Sequence, residues 1–276
     1  MSAPLTPVYH GVDFSGAKSY RKKLWVATLE PDAAATTRNG FSHAGLVDLI
    51  AQGASDRRRH VWLIDAPLSL PAETLETHGV DLSWEGALRW LGSFESPQAW
   101  RRTCRAVSRR ECWRSIEKEV KAPLPALNLR IFKQTWHALV SVVEPLRRRS
   151  GVVILPMDLA AAEAHGHDLT TLLREAYVWV GEGCPSSTLR VLGCPFRGYK
   201  GSTPHNRAQR EEILQQLDAS DLPIAAGAQK RALDDSEGDA LDSLLLLSAA
   251  RRFGASDPME TLQQDSRAAV EGWIYS

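Results

Sequence analysis

A chain of 276 residues with 43% hydrophobic content carries ample material for one large core or two small ones, and its formal net charge of +0 excludes a generic polyanion binder. The four cysteines (Cys104, Cys112, Cys184 and Cys194) make no Cys-x-x-Cys pair, which argues against a zinc site. No apolar run approaches membrane-spanning length and nothing resembles a signal peptide, so no membrane association and a cytoplasmic location are expected.

Residues 8–14 form an apolar, β-branched run bounded by glycine and read as the first strand. Residues 23–29 read as a second strand, with 18–22 as a hairpin connection, and 38–41 as a short third. Residues 43–51 have the spacing of an amphipathic helix capped by Ser42, and 61–65 are the fourth strand. Residues 80–150 read as a mostly helical insertion, after which 152–156 and 177–182 resume strand character. A helix is expected over 203–217, with Thr203 as its cap and Pro204 at its first position. The last long helix spans 239–253, with Asp235 or Ser236 as N-cap, and 271–275 closes the chain as a strand.

The acids fall at informative places. Asp13 and Asp65 each end an apolar strand, where open α/β sheets put their ligands. Two carboxylates from separate strands can converge on one point, and the usual reason is a hard divalent cation such as Mg²⁺. Asp239 and Asp242 lie three apart on a largely apolar helix face, where carboxylates are costly unless paired or metal-bound. The competing reading is capping and solvation of the first helical turn. Glu182 is a further acid at a strand end.

The balanced net charge hides an asymmetry. Between residues 97 and 150 there are thirteen Lys and Arg against four Glu, a net +9 that the rest of the chain offsets. Arg101, Arg102 and Arg105 are candidate phosphate contacts there, since arginine pairs with phosphate through forked hydrogen bonds. Arg101-Arg102 and Arg109-Arg110 recur at about two helical turns, a spacing that suits one basic stripe. Trp100, Trp113 and Trp136 are interleaved and could stack on unpaired bases; the alternative makes them core residues of the insertion, with solvated arginines. Lys200, in Gly198-Tyr199-Lys200-Gly201 just before a helix start, and Arg207 are further phosphate candidates. His205 could act as an acid or base. Ser15 serves either a substrate or the turn after the first strand. No Gly-x-Ser-x-Gly elbow is present, which disfavours a serine hydrolase triad.

Gly11-Val12-Asp13-Phe14-Ser15-Gly16, Ile64-Asp65-Ala66-Pro67-Leu68-Ser69-Leu70-Pro71, Glu182-Gly183-Cys184-Pro185, Tyr199-Lys200-Gly201 and Gly238-Asp239-Ala240-Leu241-Asp242-Ser243 occur in this order. In that order and spacing the chain resembles the domain-of-unknown-function family 429, regarded as predicted nucleases of the RNase H-like fold. The resemblance implies one α/β domain over residues 1–276, an RNase H-like mixed sheet flanked by helices, with the basic helical insertion at about 80–150. It implies a metal-dependent nuclease that hydrolyses phosphodiester bonds by a two-metal mechanism, using two Mg²⁺ or Mn²⁺ ions and a nucleic acid substrate. Asp13 would bridge the ions, with Asp65, Asp239 and Asp242 completing the sites; the spacing of Glu182 from Pro185 matches the family and adds Glu182. Two other readings are an ATPase or phosphotransferase related to actin-like and sugar-kinase proteins, suggested by the Gly11–Gly16 loop, and a catalytically silent nucleic-acid-binding domain. The first of these needs two copies of the core sheet.

Overall fold

Continuous apolar runs become strands when both sheet faces are covered. In the computed structural model, which describes residues 6–17 and 20–276, seven strands form one mixed sheet. They are β1 (Val8–Asp13), β2 (Trp25–Leu29), β3 (Thr36–Asn39), β4 (His60–Ile64), β5 (Val152–Ile154), β6 (Val178–Gly183) and β7 (Ile274–Tyr275). The order is β3-β2-β1-β4-β6-β5. β1, β2 and β3 pair antiparallel, whereas β4 runs parallel to β1 and β6 parallel to β4. β5 pairs with β6 at residues 178–180 and β7 pairs with it at 182–183, so both strands share one edge of β6.

The register places the candidate acids at one end of the sheet. Val12 lies opposite Ile64, and Ile64 opposite Glu182. The Asp65 amide donates to the Val12 carbonyl at 2.8 Å, which extends the ladder by one residue. Asp13, Asp65 and Glu182 therefore reach the C-terminal end of three adjacent parallel strands.

Each face of the sheet has its own cover. On one side, Val12, Val26, Trp62 and Ile64 pack with Leu46 and Ile50 of the His43–Gln52 helix and with Trp84, Trp100, Leu139 and Leu146 of the insertion. The insertion thus shares the central core. Its helices include Trp84–Gly92, Pro97–Val107 and Phe132–His137. On the other side lies the Asp239–Ala255 helix, in which Leu241, Leu244, Leu245, Leu246 and Leu247 are all fully buried. A helix apolar all round must be enclosed all round. Here the sheet covers one side, while the Pro204–Ala219 and Ala226–Asp234 helices pack on the other.

Most expected elements form, with local corrections. Residues 20–23 make a helical turn in place of part of the expected hairpin connection, so β2 starts at Trp25; Lys18 and Ser19 lie outside the described residues. β3 ends at Asn39 because Gly40 has φ +97°, which turns the chain away from extended geometry. Glu271 closes a short helix, so only Ile274 and Tyr275 make the last strand. Ser42 and Thr203 cap their helices as expected. The N-cap of the 239–255 helix is Gly238, at φ +81°, and not Asp235 or Ser236. Asp235 still serves that end, accepting from the amides of Glu237 and Ala240. The Pro97–Val107 helix stops before Arg109 and Arg110, so the four arginines form no single helical stripe, and Trp100 is fully buried as a core residue.

The 239–255 helix touches β1 backbone to backbone at Gly11. A Cβ built on Gly11 would lie 2.2 Å from both the Leu247 amide nitrogen and the Ser243 carbonyl oxygen. Neither atom can swing aside as a side chain does. Gly11→Ala is expected to cost about 3 kcal/mol through overpacking, visible as a lowered midpoint in urea denaturation. An unchanged midpoint would show that the helix can move off the strand freely.

Candidate active site

The approach at Gly11 decides where the acids meet. Gly11 and Asp13 are two apart on β1 and so face the same side of the sheet. That side is the one on which the 239–255 helix lies, and its first turn carries Asp239 and Asp242. Asp65, one residue beyond β4, joins from the neighbouring strand. Asp13 and Asp242 are buried.

Each of the four aspartates is held above its ordinary carboxylate range. Burial is the largest cause for Asp13, followed by the charges of Asp242, Asp239 and Asp65, with Lys200 opposing. Asp65 is pushed up to about 8 by burial and by the charge of Asp242, with partial relief from Lys200. Asp239 rises to about 6, again mainly through burial. Asp242 is raised by burial although Lys200 and Tyr199 counter it. The Lys200 ammonium donates to Asp242 Oδ2 at 2.6 Å and the Tyr199 hydroxyl to Oδ1 at 2.8 Å.

These contacts depend on Arg210, which the sequence reading did not single out. Its guanidinium is buried and donates to the carbonyls of Tyr199 (2.6 Å), Gly201 (2.9 Å) and Leu233 (3.1 Å). The Gly201 amide also donates to the Ser236 carbonyl at 2.6 Å. The Tyr199-Lys200 loop is thereby tied to the segment leading into the Asp239 turn. Arg207, one helical turn earlier, points elsewhere and pairs with Asp234 and Glu211 at 3.0 and 3.4 Å.

Glu182 lies at the same end of the sheet but is already engaged. Arg114 clasps both its oxygens, at 2.7 Å to Oε2 and 2.5 Å to Oε1, and the Leu68 amide donates to Oε2 at 2.8 Å. Arg114 is itself fully buried; its Nε donates to Glu117 and a second Nη1 bond goes to the Glu271 carbonyl. The Glu271 carboxylate in turn accepts from the Ala72 and Ser115 amides. A residue counted among the basic ones of the insertion is thus the hub of a buried ion network. Glu182 still acts on its neighbour: its charge contributes to the raised pKa of Asp65.

The other expected contacts divide similarly. A cleft of about 420 Å³ beside Asp65 and Asp242 is lined by Arg130, Arg197, Lys200 and Phe196. Of these, only Lys200 was among the expected phosphate contacts. Arg101 lies over the Phe132 ring, Arg105 pairs with Glu111 at 2.7 Å, and Arg102 is exposed; none lines this cleft. Ser15 Oγ accepts from the Ala17 amide at 3.3 Å, and its carbonyl accepts from His43 Nε2 at 2.9 Å. Ser15 also lines a second cleft of about 460 Å³, together with Gln98, Arg130, Lys133 and Gln134. The Gln134 side-chain amide donates to the Asp65 carbonyl. A larger cleft of about 740 Å³ in the insertion shares no lining residue with these two, and its Arg147, Arg148 and Arg149 are paired with acids.

The donor set suits a hard divalent cation. All four candidate ligands are carboxylates whose pKa values are raised first by burial, and for Asp13, Asp65 and Asp239 also by the charge of neighbouring aspartates, as in a site short of positive charge. No side-chain hydrogen bond stands among the main causes that set the pKa of Asp13 or Asp65. Among the described residues no three His, Cys, Asp or Glu side chains form a ready ion cage; Asp242 gives one oxygen to Lys200.

Two outcomes follow. Removing Arg114 leaves Glu182 and Glu117 buried without their cation, so Arg114→Met is expected to lower unfolding free energy by about 3–5 kcal/mol, with part recovered on adding Glu182→Gln. Chemical denaturation measures both; a neutral Arg114→Met would show that the network is dispensable. For Asp65, a pKa raised on folding means that the folded state holds the proton more tightly. Its contribution to stability is complete below the ordinary carboxylate pKa of about 4 and is lost as pH rises through about 8. In chelator, the thermal midpoint should fall over that range, and Asp65→Asn should flatten the slope.

No curated protein and no solved structure matches the chain. The family model described as "Protein of unknown function (DUF429)" matches residues 11–267, a span that takes in the end of β1 with Asp13, β4, β6 and the 239–255 helix, and the chain belongs to that family.

Proposed function

We propose that the protein is a metal-dependent nuclease that hydrolyses phosphodiester bonds on the Asp13, Asp65, Asp239 and Asp242 cluster. The observation that carries this reading is the convergence of four mutually repelling carboxylates at one sheet end, beside a cleft lined by Arg130, Arg197 and Lys200. Negative charge gathered for a cation and positive charge gathered for a phosphate share one opening. Three antiparallel strands continued by parallel β4 and β6, with acids at the ends of β1 and β4, support an RNase H-like sheet as the frame. The described residues contain one such sheet, which favours this reading over an ATPase that needs two.

Asp13, Asp65, Asp239 and Asp242 would hold two Mg²⁺ or Mn²⁺ ions. When bound, such ions supply water activation and charge neutralisation at the leaving oxygen. The protein's own groups do the rest. Tyr199 and Lys200 fix the Asp242 carboxylate from both oxygens. Gln134 holds the Asp65 backbone in place. Arg130 and Arg197, which line the cleft, would neutralise the flanking phosphates of a nucleic acid. Glu182, clasped by Arg114, acts as a fixed negative charge beside Asp65.

The test is cleavage of labelled single-stranded, duplex, hybrid and branched oligonucleotides with Mg²⁺ or Mn²⁺. Wild-type cleavage should vanish in chelator. Asp13→Asn should slow it by at least about a thousandfold, equivalent to the several kcal/mol that metal-ion charge stabilisation supplies. Unimpaired metal-dependent cleavage by Asp13→Asn would remove Asp13 from the mechanism.

A further inference from the structure

Phe196 is 38% exposed, at the rim of the carboxylate cleft. The Arg190 guanidinium lies 4.1 Å from its ring centroid and that of Arg197 5.4 Å. Arg190 is itself anchored, donating to the Ser186 carbonyl at 3.2 Å. An aromatic ring held against guanidinium groups and still open to solvent offers a platform for a flat π-system.

The second cleft extends this arrangement past the acids. Arg130 lines both clefts, and Gln134, which lines the second, is bonded to Asp65, which lines the first. Each cleft also presents an exposed apolar side chain directly before an arginine: Phe196 before Arg197, and Leu129, 64% exposed, before Arg130. Alternating apolar and cationic groups along one path match alternating bases and phosphates. A duplex keeps its base faces inside the stack and has none to offer Phe196; an unpaired strand does.

Resting on the nuclease reading, we infer that the substrate is an unpaired polynucleotide strand, with one base stacked on Phe196 and its phosphates on Arg130 and Arg197. The strand runs from one cleft to the other past Asp65. Base and phosphate recognition of this kind is shared by RNA and DNA.

The test is fluorescence anisotropy with Ca²⁺, using labelled oligo(dA), oligo(rA), an abasic strand of equal length and the corresponding duplex. Wild type should bind the base-bearing strands more tightly than the abasic strand and the duplex. Whichever of oligo(dA) and oligo(rA) shows the larger base-dependent preference names the sugar. Phe196→Ala should reduce the preference for base-bearing over abasic strand about tenfold, the size of one stacked base, while Phe196→Trp retains it. Equal wild-type affinity for base-bearing and abasic strands, tighter duplex binding, or a preference unaffected by Phe196→Ala would each overturn the inference. Base-dependent binding without cleavage of any strand would keep this subsite and remove the nuclease reading. Metal-dependent cleavage confined to duplex would do the reverse.

Discussion

The packing of a helix backbone directly on Gly11 governs the rest of the molecule. Because no side chain stands between them, the first turn of the 239–255 helix sits over the end of β1. Asp239 and Asp242 are thereby brought against Asp13 and Asp65, and burial together with neighbouring like charge raises the pKa of Asp13 and Asp65. A bulkier residue at this point would relieve the repulsion by lifting the helix, and would dismantle the site with it. Local folding preference and electrostatic comfort are in conflict here, a condition common where structure serves a ligand rather than stability.

A second constraint comes from Arg114. Its guanidinium ties β6, the segment after β4, the insertion and the C-terminal turn through Glu182, Glu117 and Glu271. Such a network is weak evidence for stability when complete and strongly destabilising when broken. The insertion thereby has two jobs. Its apolar residues complete the core, and its Arg114 and Gln134 hold β6 and Asp65 from outside the sheet.

Much of this was legible in the sequence, for identifiable reasons. The strand runs ending on Asp13 and Asp65 are apolar, rich in β-branched residues and bounded by glycine or proline, so both strands and acids stood out. The caps at Ser42 and Thr203 follow from local chemistry alone. Gly11, a glycine within a strand, carried a readable signal of close backbone approach. Other features depend on partners distant in the chain. Nothing local tells a buried arginine such as Arg114 from the exposed Arg102, nor assigns Glu182 to an ion pair. Arg207 and Arg210 lie one turn apart on one helix, yet only Arg210 turns inward to the Tyr199-Lys200 loop. The Ala226–Asp234 helix is short, starts from Ala225 with no side-chain cap and buries only alanines among its inward positions, so it went unread. Trp100 drew attention as a stacking group, but its i, i+4 neighbour Cys104 is buried with it and its helix face is core.

The pairing of Gly11 with Leu247 also bears on how the chain reaches its native state. These residues are separated by most of the sequence, and β7 closes the edge of β6 beside Glu182 only once residues 274–275 arrive. The contacts that define the acidic end are therefore the long-range ones, which form slowly because a large loop must close first. A nascent chain can assemble β1 to β4 and cover one face with the His43–Gln52 helix. Its other face, with Ala27 and Leu63, stays bare until the 239–255 helix docks. Until then that face is an exposed apolar surface with Asp13 and Asp65 at its end.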